Sequence, residues 1–295
     1  MFFLSTRSIP VGGGVGPASI LDETNMLRPL ADVTAAIRGQ DVLLVTHGFN
    51  VNQSNGLQKL SNWARLLNVR NAVPIGILWP GDGRWIHAVD YPVEGNEAIA
   101  SGNALAAFIN SHFAGALSLS FASHSLGARV VLQTIAGLNR SSVRRLLLMA
   151  GAIDNTCLSA EYATAAAKVQ TISVLASRSD DVLEWAFPAG NFVSGLFSRG
   201  APYIHEAMGR EGPAEPYPSP NNIHAGWQIP DDFGYGHGSY LPAQLTGNPP
   251  VQYSLLPDFP PPDTPIPPSY TPQPLRGNAD FWQPAFSAAL QSSRW

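Results

Sequence analysis

The sequence has 295 residues, of which 45% are hydrophobic and only 13% charged, and its formal net charge is -4. An ordinary soluble domain carries roughly 25% charged residues, so this chain has a large core and a lightly charged surface. That excludes a disordered protein and offers no basic stripe for nucleic acid. A single cysteine, Cys157, excludes an internal disulfide framework and a multi-cysteine metal site.

No apolar run reaches the ~18 residues of a membrane span. The opening Met1-Phe2-Phe3-Leu4-Ser5-Thr6-Arg7 is apolar only briefly and places its basic residue after the apolar part. A secretory signal has the reverse order, so the expected location is cytoplasmic.

The first informative stretch is Asp41 to Asn50, an aliphatic run that stops at His47-Gly48. A short continuous apolar run predicts a strand buried on both faces of a parallel sheet. Leu57, Leu60, Trp63, Ala64 and Leu67 follow at helical spacing. The alternation continues with strands expected at 72–79, 117–122, 143–149 and 169–176. Helices are expected at 97–113, 126–138 and 161–168, and a short one opens at Asp181. This is a series of βαβ units with right-handed crossovers: an α/β fold with a mostly parallel central sheet. The expected domain organisation is one domain over 1–295.

After about Pro188 the pattern dissolves. Residues 188–220 mix aromatics, glycines and prolines, as a cap or lid would. A strand returns at 222–229. Residues 249–274 hold eleven prolines, which exclude a central strand or a helix and suggest an extended strap over the surface. A last helix is expected over 277–292.

Chemistry concentrates at Ala122-Ser123-His124-Ser125-Leu126-Gly127-Ala128, between a buried strand and a helix. A small-x-Ser-x-Gly turn in that setting resembles the nucleophile elbow of α/β-hydrolases, in which a strained strand-to-helix turn lifts the serine hydroxyl above the sheet. Ser123 stands where glycine is more usual. Ser125 is the candidate nucleophile. His47-Gly48-Phe49-Asn50 ends the first clear strand, where the corresponding loop donates an amide to an oxyanion. The amides of Phe49 and Leu126 are the candidate oxyanion hole, with Asn50 a possible helper. His47 is read as a structural hydrogen-bonding residue and His124 as a packing or helix-start residue.

Val45-Thr46-His47-Gly48-Phe49-Asn50, Leu78-Trp79-Pro80-Gly81-Asp82-Gly83 and Ser123-His124-Ser125-Leu126-Gly127-Ala128-Arg129 together resemble a bacterial, mostly uncharacterised branch of the α/β-hydrolase superfamily. The resemblance covers roughly residues 40–240. It implies a Ser-His-Asp hydrolase fold and leaves the substrate open.

In this fold the acid and then the base follow the serine in the chain. The acid is expected after the strand at 169–176, and the family's pattern of Asp followed three residues later by Leu selects Asp180, with Leu183 as the anchor. Asp181, which could equally cap the next helix, and Asp154, after the preceding strand, stay open. His237, in Gly234-Tyr235-Gly236-His237-Gly238-Ser239-Tyr240, is the expected base, and the family shows a similar element near its end. His224 and His205 are the alternatives.

No His-Glu-x-x-His or similar ligand spacing is present, so no metal or other cofactor is expected. Trp79, Trp85, Trp185, Phe187, Phe192, Phe197 and Tyr203 fall in loops expected at the catalytic edge or in the lid, which suits an apolar or aromatic group. These readings together give a serine hydrolase of small to medium carboxylic esters, with a small-molecule ester as partner, no nucleic acid and no membrane span. An amidase, peptidase or acyltransferase with the same triad, or a binding protein on a hydrolase scaffold, remain the alternatives.

Overall fold

The computed structural model describes residues 1–8, 14–67, 72–82, 91–184, 206–214, 223–229, 236–241 and 273–274. In chain order the elements are β1 (Phe2–Arg7), β2 (Val15–Asp22), α1 (Leu30–Ile37), β3 (Asp41–Thr46), α2 (Gln53–Leu67), β4 (Val73–Leu78), α3 (Tyr91–His112), β5 (Ser118–His124), α4 (Gly127–Gly137), β6 (Val143–Met149), α5 (Ala163–Ala167), β7 (Val169–Ser177), α6 (Met208–Glu211), β8 (Ile223–Ile229) and β9 (Gln273–Pro274).

All six residues of β3 are buried. Successive side chains on a strand point to opposite faces, so both faces of the sheet are covered at this strand. β5, β6 and β7 are nearly as buried. That is why these segments read as unbroken apolar runs rather than as alternations. The strands form one sheet in the order β2-β1-β4-β3-β5-β6-β7-β8-β9. From β1 through β8 the neighbours run parallel, and only the two edge pairings, β1 with β2 and β8 with β9, are antiparallel.

The order places a topological switch at the centre. From β3 the chain winds one way to β4, and α3 then carries it back across to β5 on the other side of β3. The loops leaving the carboxyl ends of β3 and β5 therefore diverge and open a crevice, the place where such sheets bind ligands. His47–Asn50 and Ser125 lie at those two ends.

Some features depart from the sequence reading. β1, β2 and α1 precede the first expected element. The β1 apolar run is short, and Gly16 and Pro17 mask the pattern of β2, an edge strand where proline is tolerated. α3 begins at Tyr91, six residues before the expected Glu97. Pro92 falls in its first turn, where a missing N–H removes no helical bond.

Within the expected lid, residues 206–214 are fixed to the loop after β6. The amides of Met208 and Gly209 donate to the carbonyls of Ile153 (2.9 Å) and Gly151 (2.9 Å), and that of Ala214 donates to Asn155 (2.8 Å). The remainder of the lid and the helix over 277–292 lie outside the described residues. So does the proline strap, apart from Gln273–Pro274, which pairs with the edge of β8. Among the described residues no helix is long and apolar enough to cross a membrane.

α4 begins hard against β3. A Cβ on Gly127 would stand 2.5 Å from the His47 carbonyl oxygen and 2.7 Å from the Thr46 Cγ2. The obstructing oxygen is backbone at the end of a buried strand and cannot swing aside. Gly127→Ala is expected to lower stability by about 1–3 kcal/mol, the usual cost of overpacking, read as a drop in the urea unfolding midpoint at unchanged m-value.

Candidate active site

The turn between β5 and α4 carries Ser125 at φ 55°, a left-handed conformation. For a residue with a Cβ this costs roughly 1–3 kcal/mol and persists only where neighbours hold it. The Ser125 amide donates to the Met149 carbonyl of β6 (3.0 Å), and its own carbonyl accepts from Ala128 (3.0 Å), closing the first turn of α4. The side chain is thereby lifted from the sheet's carboxyl edge beside a helix N-terminus, where backbone N–H groups point outward.

One distant side chain, His237, meets this hydroxyl, and a second, Asp180, meets His237. His237 Nε2 is 2.7 Å from Ser125 Oγ, and His237 Nδ1 is 2.7 Å from Asp180 Oδ2. A carboxylate only accepts, so Nδ1 carries the hydrogen. In the neutral ring Nε2 then presents its lone pair to the Ser125 hydroxyl, which donates. Asp180 is fully buried. Its other oxygen, Oδ1, accepts from the Leu183 amide at 3.0 Å, so one carboxylate both caps the helix after β7 and faces the imidazole. The cap expected of Asp181 is thus made by Asp180, and Asp181 itself is exposed. Arg210 of α6 supports the same turn, donating through Nη1 to the carbonyl of Arg178.

The His47–Asn50 loop lies against Ser125. A Cβ on Gly48 would come 2.5 Å from Ser125 Cβ and 3.1 Å from its Oγ, so only glycine lets the loop approach this closely. Among the described residues the amides of Phe49 and Leu126 have no acceptor. The Asn50 amide is committed to the Gly81 carbonyl (2.6 Å), with Asn50 itself at φ 55°, so its backbone is no helper to an oxyanion.

Residues beyond the sequence expectation hold this loop. The Trp79 indole donates to the His47 carbonyl (2.9 Å) and stacks on the His47 ring. Trp79 is thus a buried buttress and does not line the crevice. Arg7, at the end of β1, donates to the Val51 carbonyl (2.6 Å) and to Asp82 Oδ1 (2.5 Å), in an ion pair whose side chains are 1% and 9% exposed. Nothing local in the sequence pairs residues 75 positions apart. The only hint is an arginine closing an apolar strand.

Asp154 stands apart from the serine's partners. Its Oδ1 accepts from the amide and hydroxyl of Thr156 (2.8 and 2.7 Å). His224 lies within β8, opposite Ile172. His205, Trp85, Trp185, Phe187, Phe192, Phe197 and Tyr203 lie outside the described residues. His124 does more than pack: its Nε2 is 2.7 Å from the His237 carbonyl oxygen.

Two expectations concern the supports. Asp82→Ala leaves the buried Arg7 guanidinium uncompensated and is expected to cost about 3–5 kcal/mol, whereas Arg7→Met with Asp82→Leu recovers most of the loss; urea unfolding measures both. His47, fully buried, is pushed down to about 3, chiefly by desolvation, which outweighs its bond to the Gly48 carbonyl. Its folded value lies below its ordinary 6.5, so as pH falls the unfolded chain takes up the proton first. Its contribution is therefore intact above about pH 6.5, and stability falls by about 1.4 kcal/mol per pH unit between there and about pH 3. His47→Gln is expected to flatten the stability–pH curve across that window, whatever its absolute stability.

No curated protein matches the chain. Among solved structures it is similar to an esterase from the archaeon Pyrobaculum calidifontis (12% identity, covering 68% of this chain and 70% of that one, TM-score 0.34). It is similar also to an inhibited esterase B from Lactobacillus rhamnosis (11% identity, 69% and 70% covered, TM-score 0.35). A third is the phospholipase PlaB of Legionella pneumophila in complex with thio-NAD (17% identity, 47% and 38% covered, TM-score 0.28). These likenesses are distant, and membership rests on the sequence family. Residues 26–201, more than half of the chain, match the family described as alpha/beta hydrolase of unknown function (DUF900), and the chain belongs to that family.

Proposed function

We propose that the protein is a serine hydrolase that cleaves carboxylic esters through an acyl-enzyme on Ser125. The observation that carries this reading is the unbroken chain Ser125 Oγ to His237 Nε2 to His237 Nδ1 to Asp180 Oδ2, with 2.7 Å at both hydrogen bonds. A serine hydroxyl is a weak nucleophile until a base within hydrogen-bond reach can take its proton, and the base needs a third group to set its tautomer.

As Ser125 Oγ attacks the ester carbonyl, its proton passes to His237 Nε2. Asp180 keeps Nδ1 protonated and offsets the positive charge that forms on the ring. The carbonyl oxygen becomes an oxyanion, which the amides of Phe49 and Leu126 receive, assisted by the N-terminus of α4. Preorganised donors of this kind are each worth about 3–4 kcal/mol to the transition state. Collapse breaks the bond to the alcohol oxygen as Nε2 returns the proton to it. Water, deprotonated by His237, then attacks the acyl-enzyme, and the acid leaves with Ser125 regenerated.

The light charge of the chain, 13%, favours an uncharged ester of small to medium size over a polyanionic one. Esters are placed ahead of amides because an alkoxide leaves with less help than an amine.

The test is a panel of p-nitrophenyl esters and anilides together with a fluorophosphonate probe. Ser125→Ala is expected to abolish both ester turnover and labelling, and His237→Ala to lose nearly all of each. Asp180→Asn is expected to lower kcat by about 10⁴-fold. A Ser125→Ala protein labelled at the parental rate overturns the assignment. Full activity in Asp180→Asn with loss in Asp154→Asn overturns the choice of acid, and anilides cleaved in preference to esters overturn the substrate class.

A further inference from the structure

His237 sits on a short 3-10 turn, His237–Tyr240, beyond the last long parallel strand, and so far from Ser125 in sequence that no local structure fixes one against the other. Its side chain is aimed by Asp180, but a side-chain bond alone leaves the main chain from which the ring hangs free to shift. Among the described residues one side chain grips that main chain. His124, covalently next to Ser125, lies with Nε2 2.7 Å from the His237 carbonyl oxygen. The two rings stand 4.9 Å apart at 48°, and the fully buried Tyr240 lies 5.9 Å from His124 on the same turn.

The chemistry of this contact is determinate. A carbonyl oxygen only accepts, so His124 Nε2 must carry its hydrogen. Burial first, and then the neighbouring His237, hold His124 well below the ordinary imidazole value, so the ring is neutral and has one N–H to give. Nδ1 is bare and faces the Gly48 loop, where a Cβ on Gly48 would come within 3.1 Å. A neutral ring also suits the neighbour of a base that becomes cationic in each cycle, because a second cation there would oppose proton transfer.

We propose that His124 is a positioning residue for the base, tying the main chain of His237 to the residue before the nucleophile. This rests on the reading of Ser125 and His237 given above. A closed circuit results: Ser125 to His124 through the peptide bond, His124 to the His237 carbonyl, and the His237 ring back to Ser125 Oγ. The base is then located relative to the nucleophile by two independent restraints rather than one. Misplacement of a reacting group by about 1 Å can cost as much as 10²-fold in rate.

Three variants test this. His124→Phe keeps a flat ring and removes the donor; His124→Gln restores an N–H at about the reach of Nε2. His237→Ala supplies the background. With a p-nitrophenyl ester and a fluorophosphonate, His124→Phe is expected to lower kcat and the labelling rate by about 10- to 100-fold, with KM within about twofold and the melting temperature little changed. His124→Gln is expected to recover most of the rate. In the His237→Ala background, His124→Phe is expected to add nothing, because residues that act through one another are not additive.

Parental rates in His124→Phe would overturn the inference, as would an equal loss with and without His237, or a His124→Gln protein as slow as His124→Phe. Should His124→Phe not fold, His124→Met, which also lacks the donor, takes its place, with the same loss expected and the same parental rate overturning the inference. Labelling that depends on Ser125 and His237 but ignores His124 sinks this inference alone; labelling independent of Ser125 sinks the function on which it rests.

Discussion

The strained turn at Ser125 is the constraint around which the rest is arranged. A serine at φ 55° between a buried strand and a helix is not a conformation the chain would choose locally. It is held from several sides. Met149 takes its amide and Ala128 closes on its carbonyl. Gly48 and Gly127 allow a loop and a helix to approach where a methyl group would collide with backbone or with the serine itself. The supports come from β6, from α4 and from the loop after β3, so the turn is stable only once β3, β5, β6 and α4 are all in place. Its strain is offset by the burial of that four-element block.

The same logic extends outward through polar groups. The loop after β3 is tied by the Trp79 indole, by Gly81 and by Arg7, whose partner Asp82 is almost as buried as itself. Buried ion pairs contribute little net stability against apolar alternatives. Their effect here is geometric: a guanidinium with donors in a fixed fork joins the end of β1 to the loops leaving β3 and β4. On the other side of the crevice, Arg210 and the two oxygens of Asp180 set the turn after β7. A chain with few charges places several of them around its crevice.

Much of the fold was legible along the chain for one physical reason. Strands buried on both faces must be apolar at every position, so Asp41–Thr46 and Val143–Met149 stand out as runs with sharp ends. Helices packed on such a sheet need an apolar stripe, and Leu57 to Leu67 shows it. The N-terminal hairpin was not legible, because the apolar run of the interior strand β1 is short and β2 is an edge strand that tolerates glycine and proline. Around Ser125, the small residues of the turn and the His-Gly pair marked two loops, because close backbone approach restricts residue type. The role of His124 had no such mark. A histidine beside a serine looks the same whether it packs or holds another loop.

By itself, then, the sequence determined where the chain could be strand or helix, which turns had to be tight, and which residue types were present at those turns, because these follow from local sterics and from the periodicity of burial. The family resemblance favoured Asp180 over Asp154 and Asp181, and His237 over His224 and His205, but the contacts of His237 with Ser125 and of Asp180 with His237 belonged to tertiary structure, as did the pairing of Arg7 with Asp82 and of His124 with the His237 carbonyl. Those contacts join positions up to 113 residues apart. Distance along a chain carries no information about distance in space until a sheet order has set which loops share an edge.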